Sequence, residues 1–198
     1  MGRNRMEAFS DGVLAIVITI MVLEFQVPHG DTWADLAPLV PVFLSYVLSF
    51  IYVGIYWNNH HHMLATVRQV SGTILWSNLL LLFCLSLFPF ATAWMGENHF
   101  AALPTALYGV ALLAAALAYY ALERTIIADQ GSGSVLGQAV GRDWKGIASL
   151  VLYLAAIGVA FVAPWAAQVL FVVVALMWLV PDRRIERAVH AQDPARIA

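Results

Sequence analysis

Long uncharged apolar segments alternate with short charged connections along this chain, and that alternation constrains the fold most. Hydrophobic residues make up 62% of the 198 positions and charged residues only 11%, with a mean hydropathy of +0.78. Such values are typical of integral membrane proteins, and the length suits a single bundle over residues 1–198. The sequence therefore predicts an all-α integral membrane protein with one transmembrane domain.

The basic residues are confined to four clusters. These are Arg3 with Arg5; Arg68; Arg124 with Arg142 and Lys145; and Arg183 with Arg184, Arg187 and Arg196. The connections at 29–35, 97–99 and 163–165 carry no Lys or Arg. Because positive charge marks the cytoplasmic connections of membrane proteins, we expect every cluster, and both termini, in the cytoplasm.

This charge pattern predicts six transmembrane helices per subunit. The predicted spans are residues 5–26, 36–67, 71–95, 104–127, 143–162 and 164–180, with a cytoplasmic loop over 128–142 and a cytoplasmic tail over 182–198. The last two spans share one uncharged run, 146–181, which would form a helix of about 54 Å, too long for one crossing. Pro164 lies at its middle, so a helical hairpin is expected.

The first span is unusually short in its uncharged part. Only twelve residues separate Asp11 from Glu24. A lipid-facing span needs about 20 apolar residues, whereas 10–14 suits a helix buried inside protein. We therefore expect this helix to be sheltered from lipid.

A helical wheel divides the first span into two faces. One stripe consists of Gly12, Ile16, Thr19, Ile20, Leu23 and Val27. Ser10 and Asp11 lie off that stripe, and Asp11 is expected to face the subunit's own bundle. The stripe has two interpretations: rings of side chains that line a pore, or ordinary core packing by an apolar helix.

The second and third spans carry polar residues at the depth of Asp11. Three consecutive histidines, 60–62, resemble a metal site, but successive helical residues point about 100° apart, and no carboxylate or thiolate stands nearby. Hydrogen bonding across helices is the favoured interpretation. The acceptor is Asp11, and the predicted partners are His60, His61, Trp76 and Asn78. Pro89 is expected to kink the third span.

The sequence gives little indication of a carbonyl filter, a disulfide or a catalytic site. The segment Tyr52–Tyr56 resembles the filter of ordinary potassium channels, but it lacks the second glycine and lies inside a continuous apolar run. Cys84, the single cysteine, is expected to pack as a small hydrophobe. No nucleophile–base pair, phosphate loop or carboxylate dyad is evident, so the sequence does not indicate an enzyme.

Three motifs together resemble the transmembrane protein 175 family, potassium channels of lysosomes and endosomes with shorter prokaryotic relatives. They are Arg5-x-x-x-Phe9-Ser10-Asp11, Trp57-x-Asn59-His60-His61, and Trp76-x-Asn78-Leu79 with Pro89-Phe90-x-Thr92. The resemblance covers roughly residues 3–97. Beyond them, only the number and order of spans agree.

The resemblance implies a potassium-permeable channel without a carbonyl filter, a homotetramer whose first helices surround the pore. The implied constriction consists of Ile16, Ile20 and Leu23, with Thr19 contributing to potassium preference. The implied helix-1 anchor consists of Arg5, Phe9, Ser10 and Asp11 with Trp57, His60, His61, Trp76 and Asn78. No cofactor and no metal is implied beyond permeant K⁺, and selectivity over Na⁺ should be modest.

Three acidic residues are expected near the outer mouth of the pore. They are Glu24, Asp31 and Asp35, and carboxylates in this position concentrate cations. The partners expected are the lipid bilayer, monovalent cations and further copies of the chain, with no nucleic acid, in a prokaryotic plasma membrane. A secondary ion- or proton-coupled transporter is the alternative, although such proteins usually show inverted repeats and broken helices. A metal-handling protein or membrane enzyme built on the histidines is a third.

Overall fold

The computed structural model describes residues 2–131, 133–134, 136–137 and 144–179. The elements, in chain order, are α1 (Arg3–Leu23), α2 (Trp33–Leu36), a 3₁₀ segment (Ala37–Leu39), α3 (Val40–Ala65), α4 (Gly72–Ser86), α5 (Phe88–Glu97), α6 (Ala102–Gln130), α7 (Trp144–Ala160) and α8 (Pro164–Leu179). The predicted all-α membrane fold is confirmed.

Four helical segments of the described ranges are long and apolar enough to cross a bilayer. They are Arg3–Leu23, Trp33–Ala65, Gly72–Glu97 and Ala102–Gln130. The shorter apolar helices α7 and α8 have 17 and 16 residues. They pack against each other, and Pro164 begins α8, the first-turn position that proline favours.

The helix boundaries differ from the predicted ones for local reasons. The second segment begins early because Thr32 and Asp35 form a capping box at the start of α2. The third is interrupted at Leu87, two residues before Pro89, as expected for a proline that cannot continue the ladder. The fourth runs to Gln130, into the predicted loop, and ends at Gly131, whose φ of 87° favours glycine. Residues 138–143, 180 and the predicted tail 182–198 lie outside the described residues.

The two ends of the bundle differ in charge. At one end α1, α4 and α7 begin and α3, α6 and α8 end, and the described basic residues lie there: Arg3, Arg5, Arg68, Arg124 and Lys145. We call it the basic end. The opposite end, here called the acidic end, carries Glu24, Asp31, Asp35 and Glu97. The alternation of charge along the sequence therefore becomes a separation of charge across the bundle.

Close helix contacts and a few polar ties hold the bundle together. α6 packs mainly on α4 and α7, and α3 on α5. A Cβ on Gly96 would lie 2.5 Å from Ser45 Oγ and 2.8 Å from Val42 Cα, so α5 approaches α3 as closely as glycine permits. The hydroxyl of Ser49 lies 2.7 Å from Thr92 Oγ1 and 2.9 Å from the hydroxyl of Tyr108. These ties join α3, α5 and α6.

Candidate functional site: the exposed face of α1 and its anchor

The α1 helix has one face inside the subunit and one outside it. Its buried residues are Met6, Ser10, Leu14, Val17 and Met21. On the other side, Ile16 is 57% exposed and Leu23 is 77% exposed, with Ile20 also exposed. The wheel-predicted stripe therefore lies on the outer face. Val27, which the wheel placed in the stripe, is not part of α1, because the helix ends at Leu23.

The single subunit leaves this face of α1 uncovered, so the expected shelter from lipid would have to come from outside the subunit. The stripe is open in the single chain. An apolar face in this position is covered either by lipid or by further copies of the chain. The distinction decides whether Ile16 and Ile20 face a pore.

Thr19 lies at the edge of the exposed stripe. Its hydroxyl is 3.0 Å from the carbonyl oxygens of both Ala15 and Ile16. The hydroxyl proton is therefore used by the helix backbone, and the oxygen lone pairs remain available on the exposed side. The Thr19 oxygen can therefore accept a hydrogen bond or coordinate a cation on that side. The hydroxyl can donate a hydrogen bond there only if it gives up its bond to the backbone.

A groove of about 580 Å³ runs beside the stripe, between α1 and the α4–α5 segment. Ile16 and Ile20 form part of its α1 wall, and Phe90 and Trp94 part of the opposite wall. Glu24 also lines the groove. Glu97, which the sequence analysis did not select, lines it as well. Its negative charge at the end of an apolar helix, in a connection without Lys or Arg, was a signal that could have identified it.

Asp11 is bound to α3 rather than left open. Trp57 Nε1 donates to Asp11 Oδ1 at 3.0 Å. The bond involves a charged acceptor, which strengthens it relative to a neutral pair. It joins α1 to α3 near the basic end.

A second chain of hydrogen bonds crosses three helices inside the bundle. His60 Nε2 lies 2.7 Å from Asn78 Oδ1, and Asn78 Nδ2 donates to Ser10 Oγ at 3.0 Å. Ser10 Oγ in turn donates to the carbonyl of Met6 at 2.8 Å. His60, Asn78 and Ser10 are all buried, so this chain satisfies polar groups that would otherwise be costly.

Two further contacts at the basic end were missed by the sequence analysis. His61 Nδ1 lies 2.9 Å from Glu7 Oε1, and Arg3 donates to the carbonyl of Ala65 at 3.2 Å. Glu7 sits four residues before Asp11, one helical turn away, so the α1 periodicity was a signal that could have found it. Arg3 satisfies a carbonyl at the end of α3, where a cation is favourable.

Some predicted anchor residues lie outside this network. Trp76 is 75% exposed on α4, and Phe9 and Arg5 are exposed on α1. Within the described ranges, no hydrogen bond or ion pair involves the Trp76 or Arg5 side chain. The indole that binds Asp11 is that of Trp57, not Trp76.

Two of the three consecutive histidines have polar partners. His60 contacts Asn78 and His61 contacts Glu7, from faces of α3 about 100° apart. Among the residues that the structure describes, no group of three or more His, Cys, Asp or Glu side chains could hold a metal ion. The contacts of His60 and His61 therefore join α3 to α4 and to α1.

The acidic residues of the opposite end have different environments. Asp35 Oδ2 accepts from the backbone nitrogen of Thr32 at 3.0 Å and from its hydroxyl at 2.5 Å. Asp35 is therefore a helix-capping residue. Glu24 and Asp31 are exposed, so their charge reaches solvent directly.

Comparison with known proteins identifies the family. A family model described as the endosomal/lysosomal potassium channel TMEM175 matches residues 5–89. A Chryseobacterium protein named as a potassium channel is 53% identical over 188 residues, which are 95% of this chain and 98% of that protein. The chain belongs to the TMEM175 family. The resemblance stated from the three motifs is thereby confirmed.

The likeness to TMEM175 proteins extends beyond the matched motifs. A crystal structure of a lysosomal potassium-selective channel TMEM175 homolog from Chamaesiphon minutus superposes with a TM-score of 0.80 at 28% identity, covering 91% of this chain and 97% of that one. The rat endosomal/lysosomal proton channel TMEM175 is 37% identical over 92 residues, 40% of this chain and 18% of that protein. Membership makes the chain a multi-pass integral membrane protein of an ion-channel family, not of an enzyme family.

Proposed function

We propose that the chain is a potassium-permeable channel that conducts passively as a homotetramer, with four copies of α1 around the pore. The observation that carries the proposal is the exposed apolar stripe of α1, because this helix is too short in its uncharged part to suit a lipid-facing position. The TMEM175 relatives from Chryseobacterium and Chamaesiphon, named as potassium channels, support it.

In this proposal the constriction is hydrophobic. Rings of Ile16, Ile20 and Leu23 would narrow the pore, and such constrictions gate conduction by excluding water. An ion that passes must lose part of its hydration shell, and K⁺ loses water at a lower cost than Na⁺. Because no cage of oxygens replaces the lost shell, selectivity should be modest, with Thr19 oxygens adding a polar contact.

The groove beside α1 supports assembly from several copies. Ile16 and Ile20 contribute to its wall, so a neighbouring copy seated there would lie beside the pore stripe. A channel made by α1 is incomplete in a single chain, since one helix cannot enclose a path. Four copies are the stoichiometry that the resemblance to the TMEM175 family implies.

Charge at the acidic end would assist conduction. Glu24 and Asp31 are exposed, and Glu97 joins Glu24 along the groove. Repeated around an axis, these carboxylates would raise the local cation concentration. Asp35 contributes less in this proposal because its carboxylate caps α2. The basic end would face the cytoplasm of a prokaryotic plasma membrane, with both termini there.

Flux from liposomes tests the proposal. Purified protein should pass K⁺ faster than Na⁺ under an imposed gradient, and Ile16→Asn should change the rate by wetting the constriction. Leu154→Asn on α7 is the matched control, since Leu154 is 58% exposed against 57% for Ile16. Absence of K⁺ flux from folded protein would overturn the channel function, and equal effects of the two substitutions would overturn the pore assignment.

Proton permeation is a second candidate, favoured by one observation: relatives from rat and human are named as proton channels. The same liposomes, loaded with a pH-sensitive dye and held at a K⁺ diffusion potential, test it. Acidification that follows the potential and depends on Ile16 would support it. A proton flux equal to that of empty liposomes would exclude it.

A further inference from the structure

A second cavity lies on the other side of the bundle from the α1 groove. Its volume is about 240 Å³, and residues of α3, α6, α7 and α8 line it. Six of the lining residues are aromatic: Tyr52, Tyr56, Tyr119, Tyr120, Tyr153 and Trp178. Apolar cavities of about 150 Å³ already accept benzene, so this one has room for a substituted ring.

Most polar groups on the cavity wall have partners within the protein. Tyr52 donates to the carbonyl of Phe171 at 2.6 Å, and Tyr119 to the carbonyl of Asn59 at 3.3 Å. Trp178 Nε1 donates to Ser149 Oγ at 2.8 Å. These groups are therefore committed, and they give the cavity an aromatic, largely apolar surface.

Tyr56 differs from its neighbours. It is only 9% exposed and lines the cavity, and its hydroxyl has no hydrogen-bond partner among the residues that the structure describes. The hydroxyl opens on the cavity, and it gains a hydrogen bond only from what occupies that space. An occupant that brings one hydrogen-bonding atom would supply that bond.

The cavity reaches the surface of the bundle. Two of its lining residues, Tyr120 on α6 and Ile147 on α7, are 41% and 63% exposed. Both lie toward the basic end, where α6 ends and α7 begins. Where this surface meets acyl chains, molecules dissolved in the bilayer can enter from the side.

We propose that this cavity binds one uncharged aromatic amphiphile from the bilayer, an apolar ring that carries a single hydroxyl hydrogen-bonded to Tyr56. The aromatic walls favour a planar ring, because rings pack well in offset or edge-to-face arrangements. The hydroxyl of the ligand meets the Tyr56 hydroxyl, which fixes the orientation. The site is separate from the α1 stripe, so it does not depend on the proposed potassium conduction.

Two fluorinated probes that differ by one hydroxyl test the proposal. Binding of 4-(trifluoromethyl)phenol and of (trifluoromethyl)benzene is titrated by ¹⁹F NMR on the full chain in lipid nanodiscs, with empty nanodiscs measuring partition. Both probes should bind saturably. Tyr56→Phe should weaken the phenol by about three- to tenfold, the loss of one hydrogen bond, while the hydrocarbon probe keeps its affinity.

Two matched pairs of variants separate this result from general damage. Tyr108→Phe, whose hydroxyl lies 2.9 Å from Ser49 Oγ and does not line the cavity, should leave the ratio of the two affinities unchanged. Ala116→Phe should fill the cavity and abolish both signals, while Leu117→Phe on the exposed side of α6 should preserve them. Thermal unfolding identifies any variant that fails to fold, and the wild-type titration with both probes remains decisive in that case.

Three results would overturn the proposal. The first is partition equal to that of empty nanodiscs, and the second is binding that survives Ala116→Phe in folded protein. The third is an equal loss of affinity for both probes in Tyr56→Phe. If Tyr56→Phe gives that result and decanoate displaces both probes, the cavity binds acyl chains instead.

Discussion

The indole Nε1 of Trp57 donates to Asp11 Oδ1 at 3.0 Å, and this bond holds Asp11 toward α3. Residues five apart on a helix point about 140° apart. With Asp11 turned toward α3, Ile16 must face away from the subunit, as it does. The bond at the basic end and the buried face of α1 therefore favour the same rotation, which leaves Ile16 on the outside.

Removing the indole donor should loosen α1. Trp57→Phe keeps the ring and deletes the hydrogen bond, and we expect a loss of about 1 kcal/mol in stability. Trp76→Phe is the matched control, because Trp76 is exposed and lies outside the network. Thermal unfolding in detergent compares them. A double-mutant cycle with Asp11→Ala should show coupling, and additive effects would contradict a direct bond.

Asn78 should be the most sensitive polar residue of the bundle. Asn78→Leu leaves His60 without its partner inside the core, at a cost of about 1–3 kcal/mol for an unsatisfied buried group, and removes the donor to Ser10. The neighbouring Ser77→Ala removes only a half-buried contact to Thr125 and should cost much less. The same unfolding assay ranks the two. Equal losses would show that Asn78 does not connect α1, α3 and α4.

Two glycines should respond oppositely to the same substitution. Gly96→Ala places a methyl group against Val42 and Ser45, so α5 must move from α3 and stability should fall by about 1–3 kcal/mol. Gly54→Ala meets nothing within 4 Å inside α3 and should leave stability unchanged or slightly higher. Flux measurements add a second readout. Loss of K⁺ flux in folded Gly54→Ala would revive the filter interpretation of Tyr52–Tyr56.

Thr19 should influence selectivity more than stability. Thr19→Val keeps the shape and removes the oxygen, so the K⁺ to Na⁺ permeability ratio should fall to the smaller preference that dehydration at the apolar rings supplies. Thr19→Ser keeps the oxygen and should retain most of the ratio. Reversal potentials under mixed K⁺ and Na⁺ gradients measure both. An unchanged ratio in Thr19→Val would remove Thr19 from the selectivity mechanism.

The helical faces were predictable from the sequence, but their partners were not. The helical period of 3.6 residues alone places Ile16 and Asp11 on different faces of α1, whatever helices lie beside it. The positions of the charged residues along the sequence alone indicate which helix ends lie together at one end of the bundle. Choosing between Trp57 and Trp76 requires the rotation of α3 and α4, which depends on packing such as the Gly96 contact. A wheel for one helix carries no information on that rotation.

The same limit explains which acidic residues the sequence analysis selected. Asp35 was selected for its charge, yet its carboxylate caps α2 because Thr32 stands three residues earlier. Glu97 was passed over because it belongs to a different span from Glu24, and only folding brings both to one groove. Local motifs are readable in a sequence, whereas proximity between distant segments needs the structure.

Cadmium block of a cysteine ring tests the central claim most directly. In a Cys84→Ala background, Ile16→Cys would place one thiol per subunit on the pore axis, and soft ligands of this kind bind thiophilic metals. The account predicts that Cd²⁺ stops K⁺ flux through this variant and that a chelator restores it, while Leu154→Cys stays insensitive. Undiminished flux through folded Ile16→Cys, or equal block of both variants, would contradict a pore lined by α1.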